Sequence, residues 1–216
     1  MIVPTRIWEY FLASILIIIA PGPSVLFVIA RAIAWGRRTA VFTVLGNVTG
    51  AYVLSVFVAL GLGPVLQRSD LAYSIIQWGG GAYLVYLGVN AIQNRKVHAA
   101  DMTQKTGIQP DPFVSVRDGF WVGVLNPKTL VFFAAVLPQF IDRERGHVTS
   151  QLLLLGALFA FLALVSDGSW GLLAGTARQW LATDTARLIT LRTSGGIVMI
   201  ALGTLVIISA ISHSVS

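Results

Sequence analysis

Six long apolar runs, separated by short clusters of charge, dominate the chain: roughly residues 7–31, 40–66, 71–93, 119–141, 148–177 and 188–212. Each is long enough for a helix that crosses a bilayer, which takes about 20 mainly apolar residues. The runs are apolar on every side. The strands of a membrane barrel are about 10 residues long and alternate in polarity, so the pattern predicts helices. The longest polar stretch, 94–118, carries Arg95, Lys96, Asp101, Lys105, Pro110, Asp111 and Pro112 and reads as a solvated loop. It divides the chain into a first half of about 1–93 and a second of about 119–212, within one membrane domain. Arg6 followed by the apolar stretch 11–20 resembles a secretory signal. Pro21 and Pro23 fit a cleavage site poorly, and apolar sequence resumes at 25–30, so the expectation is a retained helix.

Composition sharpens this picture. Of 216 residues, 56% are hydrophobic and only 11% are charged, where soluble domains carry about 25%; a soluble globule and a disordered chain are both excluded. The absence of cysteine excludes a disulfide framework, a thiolate zinc site and a cysteine nucleophile. The sequence pI of about 10.2 would suggest nucleic acid in a soluble protein, but in a membrane protein basic residues set orientation. With six spans, one side holds Arg6, Arg68, Arg143 and Arg145. The other holds Arg31, Arg37, Arg38, Arg95, Lys96, Lys105, Arg117, Arg178, Arg187 and Arg192. Four charges against ten place both termini outside the cytoplasm. Five spans would follow if the first or the fifth run did not cross.

The two halves repeat. Gly80-Gly81 and Leu87-Gly88 in the third run match Gly195-Gly196 and Leu202-Gly203 in the sixth, without gaps, at an offset of 115; Gly22-Pro23-Ser24 falls opposite Asn126-Pro127-Lys128 at an offset of 104. Three helices per repeat, an odd number, inverts the second half relative to the first. The expected fold is therefore an all-α membrane protein of six transmembrane helices, built as two inverted three-helix repeats, an architecture frequent among secondary transporters.

Candidate chemistry gathers at the two broken helices. Pro21, Gly22 and Pro23 interrupt the first span, freeing carbonyls one turn earlier, while a half-helix starting near Ser24 directs its positive dipole end to the same place. Such a break is tolerated at membrane depth where protein, water or a ligand satisfies it; the plainer reading is a packed kink. Lys128 lies eleven residues beyond Arg117, roughly 16 Å along a helix and near the middle of a core about 30 Å thick. A lysine there is costly unless it faces a polar cavity; the plainer reading has it neutralised by carbonyls freed at Pro127. Asp167 is the matching acid, either Lys128's partner or a group facing interfacial water. Asn47 and Thr49, with Tyr83 and Tyr86, are candidate cavity-lining groups, against interhelical hydrogen bonds or interfacial aromatics as plainer readings. No zincin HExxH, nucleophile-elbow GxSxG or Walker loop is present, and His98, His147 and His213 fall in loops or the tail. Transport by such a chain must draw on a gradient or a partner protein.

Pro21-Gly22-Pro23, the run Gly80-Gly81-Ala82-Tyr83-Leu84-Val85-Tyr86-Leu87-Gly88, Leu125-Asn126-Pro127-Lys128 and Leu137-Pro138-Gln139-Phe140 together resemble the LysE/RhtB family of amino-acid exporters, over essentially the whole chain. The resemblance implies a bacterial inner-membrane exporter of amino acids driven by the proton gradient, with no cofactor. Many members carry Asp or Asn after the Pro-Gly-Pro; Ser24 stands here, which makes a cationic substrate a poorer match than a neutral zwitterion. The expected substrate site comprises Pro21, Gly22, Pro23, Ser24, Asn47, Asn126, Pro127 and Lys128, with Lys128 and Asp167 exchanging the proton. Expected partners are an amino acid, protons and membrane lipid, with no nucleic acid; the Gly-rich helices also suit a homo-oligomer. Two rival readings are a membrane enzyme using Lys128 and Asp167 as base and acid, and a non-transporting subunit that assembles through its Gly-rich helices.

Overall fold

The computed structural model describes residues 4–68, 70–96, 109–177, 180 and 184–215. Eight α-helices run through it: α1 (Ile7–Ile19), α2 (Pro23–Trp35), α3 (Arg37–Arg68), α4 (Asp70–Gln93), α5 (Pro112–Val124), α6 (Pro127–Val131), α7 (Val148–Thr176) and α8 (Thr185–Val215). A π-helical turn, Phe132–Val136, and a 3₁₀ turn, Leu137–Phe140, continue α6. No strand occurs among the described residues. Lys105 and Arg178, used above to orient the chain, and Asp101 of the polar stretch lie outside the described residues. The second half starts earlier than its apolar pattern suggests. Pro112 opens α5, and Asp111 caps it by accepting a hydrogen bond from Val114 N at 2.9 Å, so 112–118 belong to helix rather than to the polar loop.

Both expected breaks are present. α1 and α2 bend by 47° and the α5 and α6 segments by 43°, each pair apolar enough to act as one broken span. Three further helices, Arg37–Gly61, Val148–Thr176 and Thr185–Ile211, are long and apolar enough to cross on their own, giving three to five spans by length and composition. That count stops short of the expected six, and at a different place from the runs held most doubtful: the first, as a bent pair, and the fifth both qualify. α4 falls short because Gln77, Gly79, Gly80, Gly81, Tyr83, Tyr86 and Asn90 dilute its apolar character.

The outside of the bundle is oily and part of the inside is polar. Trp8, Leu12 and Leu16 of α1, Phe57 and Leu60 of α3, Phe161 and Leu173 of α7, and Leu205 and Ile208 of α8 are exposed, while Asn47, Asn126, Lys128 and Asp167 are buried. This inversion of the soluble pattern is what lipid as solvent selects. Inside, Tyr10, Phe132, Phe133 and Phe159 pack around the π-turn, with the Phe133 and Phe159 rings 4.8 Å apart, and the Tyr10 hydroxyl donates to Leu155 O at 2.7 Å. Gly36, at φ 84°, makes the one-residue turn from α2 to α3. At the same end Arg31 pairs with Asp118 at 2.7 Å, tying α2 to α5.

Two glycine seams bring backbones into contact. On α3 and α5, a Cβ at Gly46 or Gly50 would fall on the carbonyl of Val116 or Phe120, and one at Gly119 or Gly123 on that of Thr43 or Asn47. On α4 and α8, Gly81 lies against Gly203 and Gly88 against Gly196. The offset of 115 equates Gly81 with Gly196 and Gly88 with Gly203, so equivalent positions pair crosswise, as in an isologous two-fold contact.

Gly119→Ala forces α5 off α3, and overpacking of this kind costs about 1–3 kcal/mol; a lower melting temperature in detergent is the expected readout. A Cβ at Gly61 meets nothing within 4 Å, so Gly61→Ala should stay within about 0.5 kcal/mol of the parent. Equal losses in the two variants would mean that the α3–α5 seam is not a tight contact.

Candidate functional site

The two helix breaks meet. Pro21 has no N–H for Ile17 O, and Ala20, the C-terminal cap of α1, leaves its own carbonyl beyond the helix. The Lys128 ammonium donates to both, at 2.8 Å to Ile17 O and 2.8 Å to Ala20 O. Lys128 is 4% exposed. The carbonyls that hold it therefore come from the break in the other half, not from Pro127 in its own; on that side Gly123 O is taken by Asn126 N at 3.4 Å. Gly22 lets the lysine lie against the break, since a Cβ there would sit 2.9 Å from Lys128 Cε and 2.9 Å from Nζ and would push the side chain aside.

Asn126 ties the breaks together a second time. It caps α6, its Oδ1 accepting from Lys128 N at 3.1 Å, and its Nδ2 donates to Ser24 Oγ at the start of α2. On the opposite wall Asn47 of α3 donates from Nδ2 to Asp167 Oδ2 of α7 at 2.9 Å, and its buried Oδ1 has no hydrogen-bond partner among the described residues. Asp167 is 4% exposed, which removes the reading of an acid at the interface. It also makes no ion pair with Lys128 within 4.0 Å. Acid and base instead line one cavity of about 20 Å³, with Ser24, Asn47 and Thr129. That is room for a single water and far below the roughly 300 Å³ at which small-molecule pockets begin.

Of the residues expected at the site, Gly22, Ser24, Asn47, Asn126, Lys128 and Asp167 come together through these contacts, with Pro21 and Pro23 forming one break and Pro127 the other. Thr49 does not join them: it is exposed and its hydroxyl returns to Leu45 O at 2.7 Å on its own helix. Tyr83 and Tyr86 stack on each other at 5.7 Å on the outer surface. None of these three lines the cavity between Lys128 and Asp167. Sequence reasoning missed Thr129 as part of the site; it pointed to the carbonyls freed one turn before the break, and Ile17 O is the one that Pro21 orphans by position.

The LysE type translocator family model matches residues 15–210. The chain belongs to the LysE family of translocators. Among its relatives, the homoserine/homoserine lactone efflux protein of Salmonella typhimurium is 33% identical over 81% of this chain and 82% of its own length. The leucine efflux protein of the same species is 26% identical over 65% of each chain. An uncharacterized membrane protein of Vibrio cholerae is 32% identical over 70% of this chain and 72% of its own length. No solved structure matches. The protein is thus a membrane protein of an amino-acid efflux family and not an enzyme, which sets aside the reading of Lys128 and Asp167 as catalytic acid and base.

The meeting of the breaks can be tested directly, since the chain contains no native cysteine. Ser24 and Thr129 line the same cavity, and a Ser24→Cys, Thr129→Cys pair should be joined by a short bifunctional thiol reagent in membranes, while either single variant yields no intramolecular product. Absence of product from this pair and from neighbouring pairs along α2 and α6 would remove the site.

Proposed function

We propose that this protein exports a small neutral amino acid across the bacterial inner membrane by exchange with protons, through six spans arranged as two inverted repeats with both termini on the periplasmic side. The observation that carries the reading is Lys128: a buried ammonium that bridges two broken helices in a member of an efflux family. A mid-membrane charge is retained at a cost of several kcal/mol, and a kink that needed only packing would not call for one. The crosswise glycine pairs of α4 and α8 and the matched bends of 47° and 43° support the inverted repeat. α4 is then the sixth span, its polar positions tolerated because it packs along α8 and the π-turn.

The proposed chemistry follows from who holds the two carbonyls. In the closed arrangement the Lys128 ammonium occupies Ile17 O and Ala20 O, the acceptors best suited to the ammonium of an amino acid. An entering zwitterion exchanges with it: the substrate carboxylate pairs with Lys128 and the amide end of α2. The substrate ammonium takes the freed carbonyls, with Asp167 and the unpartnered Asn47 Oδ1 nearby. Lys128 and Asp167 are the two groups able to pass a proton as the substrate leaves. Ser24, a hydroxyl rather than a carboxylate at the start of α2, fits a substrate without a second positive charge. The named relatives, which export homoserine, its lactone or leucine, point to the same class.

Uptake of labelled L-homoserine and L-leucine into everted membrane vesicles, with and without a proton gradient, tests the reading. Lys128→Met, similar in length but uncharged, should reduce gradient-driven uptake to background at unchanged membrane levels. Lys128→Arg should retain part of the activity, because a guanidinium keeps the charge but does not release its proton. Near-normal transport by Lys128→Met would make the lysine a structural clasp and overturn the mechanism while leaving the family assignment intact. Orientation has its own test: a periplasm-active reporter fused after Ser216 should be active and one inserted near Lys105 inactive, and the reverse pattern would overturn the proposed topology.

A further inference from the structure

The Pro21–Gly22–Pro23 break has two sides, and the transport reading uses only one. On the other lies a separate cavity of about 50 Å³, lined by the break itself together with Leu87, Asn90, Arg192 and Met199. Sequence alone makes Arg192 one more orienting charge near a span end. In the structure it is a half-buried residue of α8 facing the break. Its position is set by Gly195, one turn further on, where a Cβ would fall on the carbonyl of Pro21. Two backbones in contact leave no slack, so Arg192 is held beside the break by the same approach.

The guanidinium is under-used. Its Nε donates to Ala91 O at 3.3 Å, and its two terminal nitrogens make no hydrogen bond or ion pair among the described residues. Among the described residues, no carboxylate lines the cavity. A half-buried guanidinium among Leu87, Ala91 and Met199 is a costly group to leave without an anion, and its planar fork matches a carboxylate with two parallel hydrogen bonds. Arg192 lies toward the end of the bundle that holds Arg95 and Arg187, the basic end from which an exported solute arrives on the proposed topology.

We infer that Arg192 forms a second, outer substrate subsite: it captures the α-carboxylate of the amino acid on the basic side of the Pro21–Gly22–Pro23 break, before the solute passes the break to Lys128. This rests on the export reading above. The assignment separates two kinds of substrate. A solute with a free carboxylate uses the subsite; one whose carboxyl is esterified does not.

The test compares L-homoserine with L-homoserine lactone, and L-leucine with its methyl ester, as labelled substrates of everted vesicles carrying the parent, Arg192→Gln or Arg192→Lys. For the free acids, Arg192→Gln should raise KM about tenfold or more, the loss expected of one charge-assisted interaction, with maximal rate little changed. KM for lactone and ester should move less than about twofold, within the spread of ordinary surface substitutions. Arg192→Lys should restore part of the acid affinity. The acid-to-ester ratio within one vesicle preparation is independent of how much protein is present, so poor insertion of a variant does not imitate the effect. If the parent protein transports none of the four, the export reading fails and this subsite with it. If the parent transports but Arg192→Gln leaves acid and ester unchanged, or weakens both alike, export stands and the Arg192 subsite is overturned.

Discussion

Everything at the centre of this molecule depends on one constraint: inside a bilayer a backbone carbonyl without a donor must find one within the protein. Pro21 withholds the donor that Ile17 O would use, and the end of α1 at Ala20 leaves Ala20 O beyond the helix. Lys128 supplies the missing donors from the opposite half of the chain. Each group meets the other's need, since an ammonium at that depth requires acceptors as much as the carbonyls require a donor. Asn126 adds a second tie by capping its own half-helix and reaching Ser24 at the start of the other. The two halves are thus joined where each is least regular.

A clasp of this kind differs in consequence from a buried core contact. Replacing a leucine pair by another apolar pair leaves a protein much as it was, whereas an ammonium on two carbonyls is a reversible bond to groups that also suit a ligand. The same geometry that satisfies the break when empty provides acceptors when the lysine moves away. The cavity of about 20 Å³ between Lys128 and Asp167 belongs to the empty, clasped arrangement, since it admits a water and not an amino acid.

Much of this was legible in the residues, for reasons that also explain the gaps. Proline interrupts a helix by covalent structure, so Pro21, Pro23 and Pro127 announce their breaks without reference to the fold. Lys128 and Asp167 stand out because charge within an apolar run is rare. Equal glycine spacing in two runs predicts that they resemble each other, and Gly81, Gly88, Gly196 and Gly203 are in fact each other's contacts. Helix rotation is not legible in the same way. Thr49 follows Asn47 by two residues on α3, which places it on a different face of the helix; Tyr83 and Tyr86 share a face, and that face is the outer one. Run length also gives no hint that Gly81 and Gly88 of α4, which serve its packing on α8, lower the very hydropathy by which a span is counted. Arg192 was hidden for a third reason. Its role depends on a cavity lined by Pro21 and Leu87, which are distant from it in sequence.

The distribution of tight and loose contacts indicates where such a structure can open. Backbone against backbone at Gly46, Gly50, Gly119 and Gly123 fixes α3 to α5, and the crosswise glycines fix α4 to α8. Neither seam can slide without driving carbonyls into each other. α7 is packed along α3, so α3, α5 and α7 form one unit, and α4 with α8 forms another. These units meet chiefly through the broken elements: α4 lies on the π-turn, where Gly80 abuts Ala135, and α8 lies on the first break, where Gly195 abuts Pro21. A rocking motion of one unit against the other, the usual form of alternating access, is then carried by the segments already free of regular helix. On the proposed cycle, the contact that must release first is the Lys128 clasp, because it spans the breaks and lies between the two cavities. Substrate ammonium at Ile17 O and Ala20 O would both release the lysine and replace it, so solute binding and opening become a single exchange of donors at the same two carbonyls.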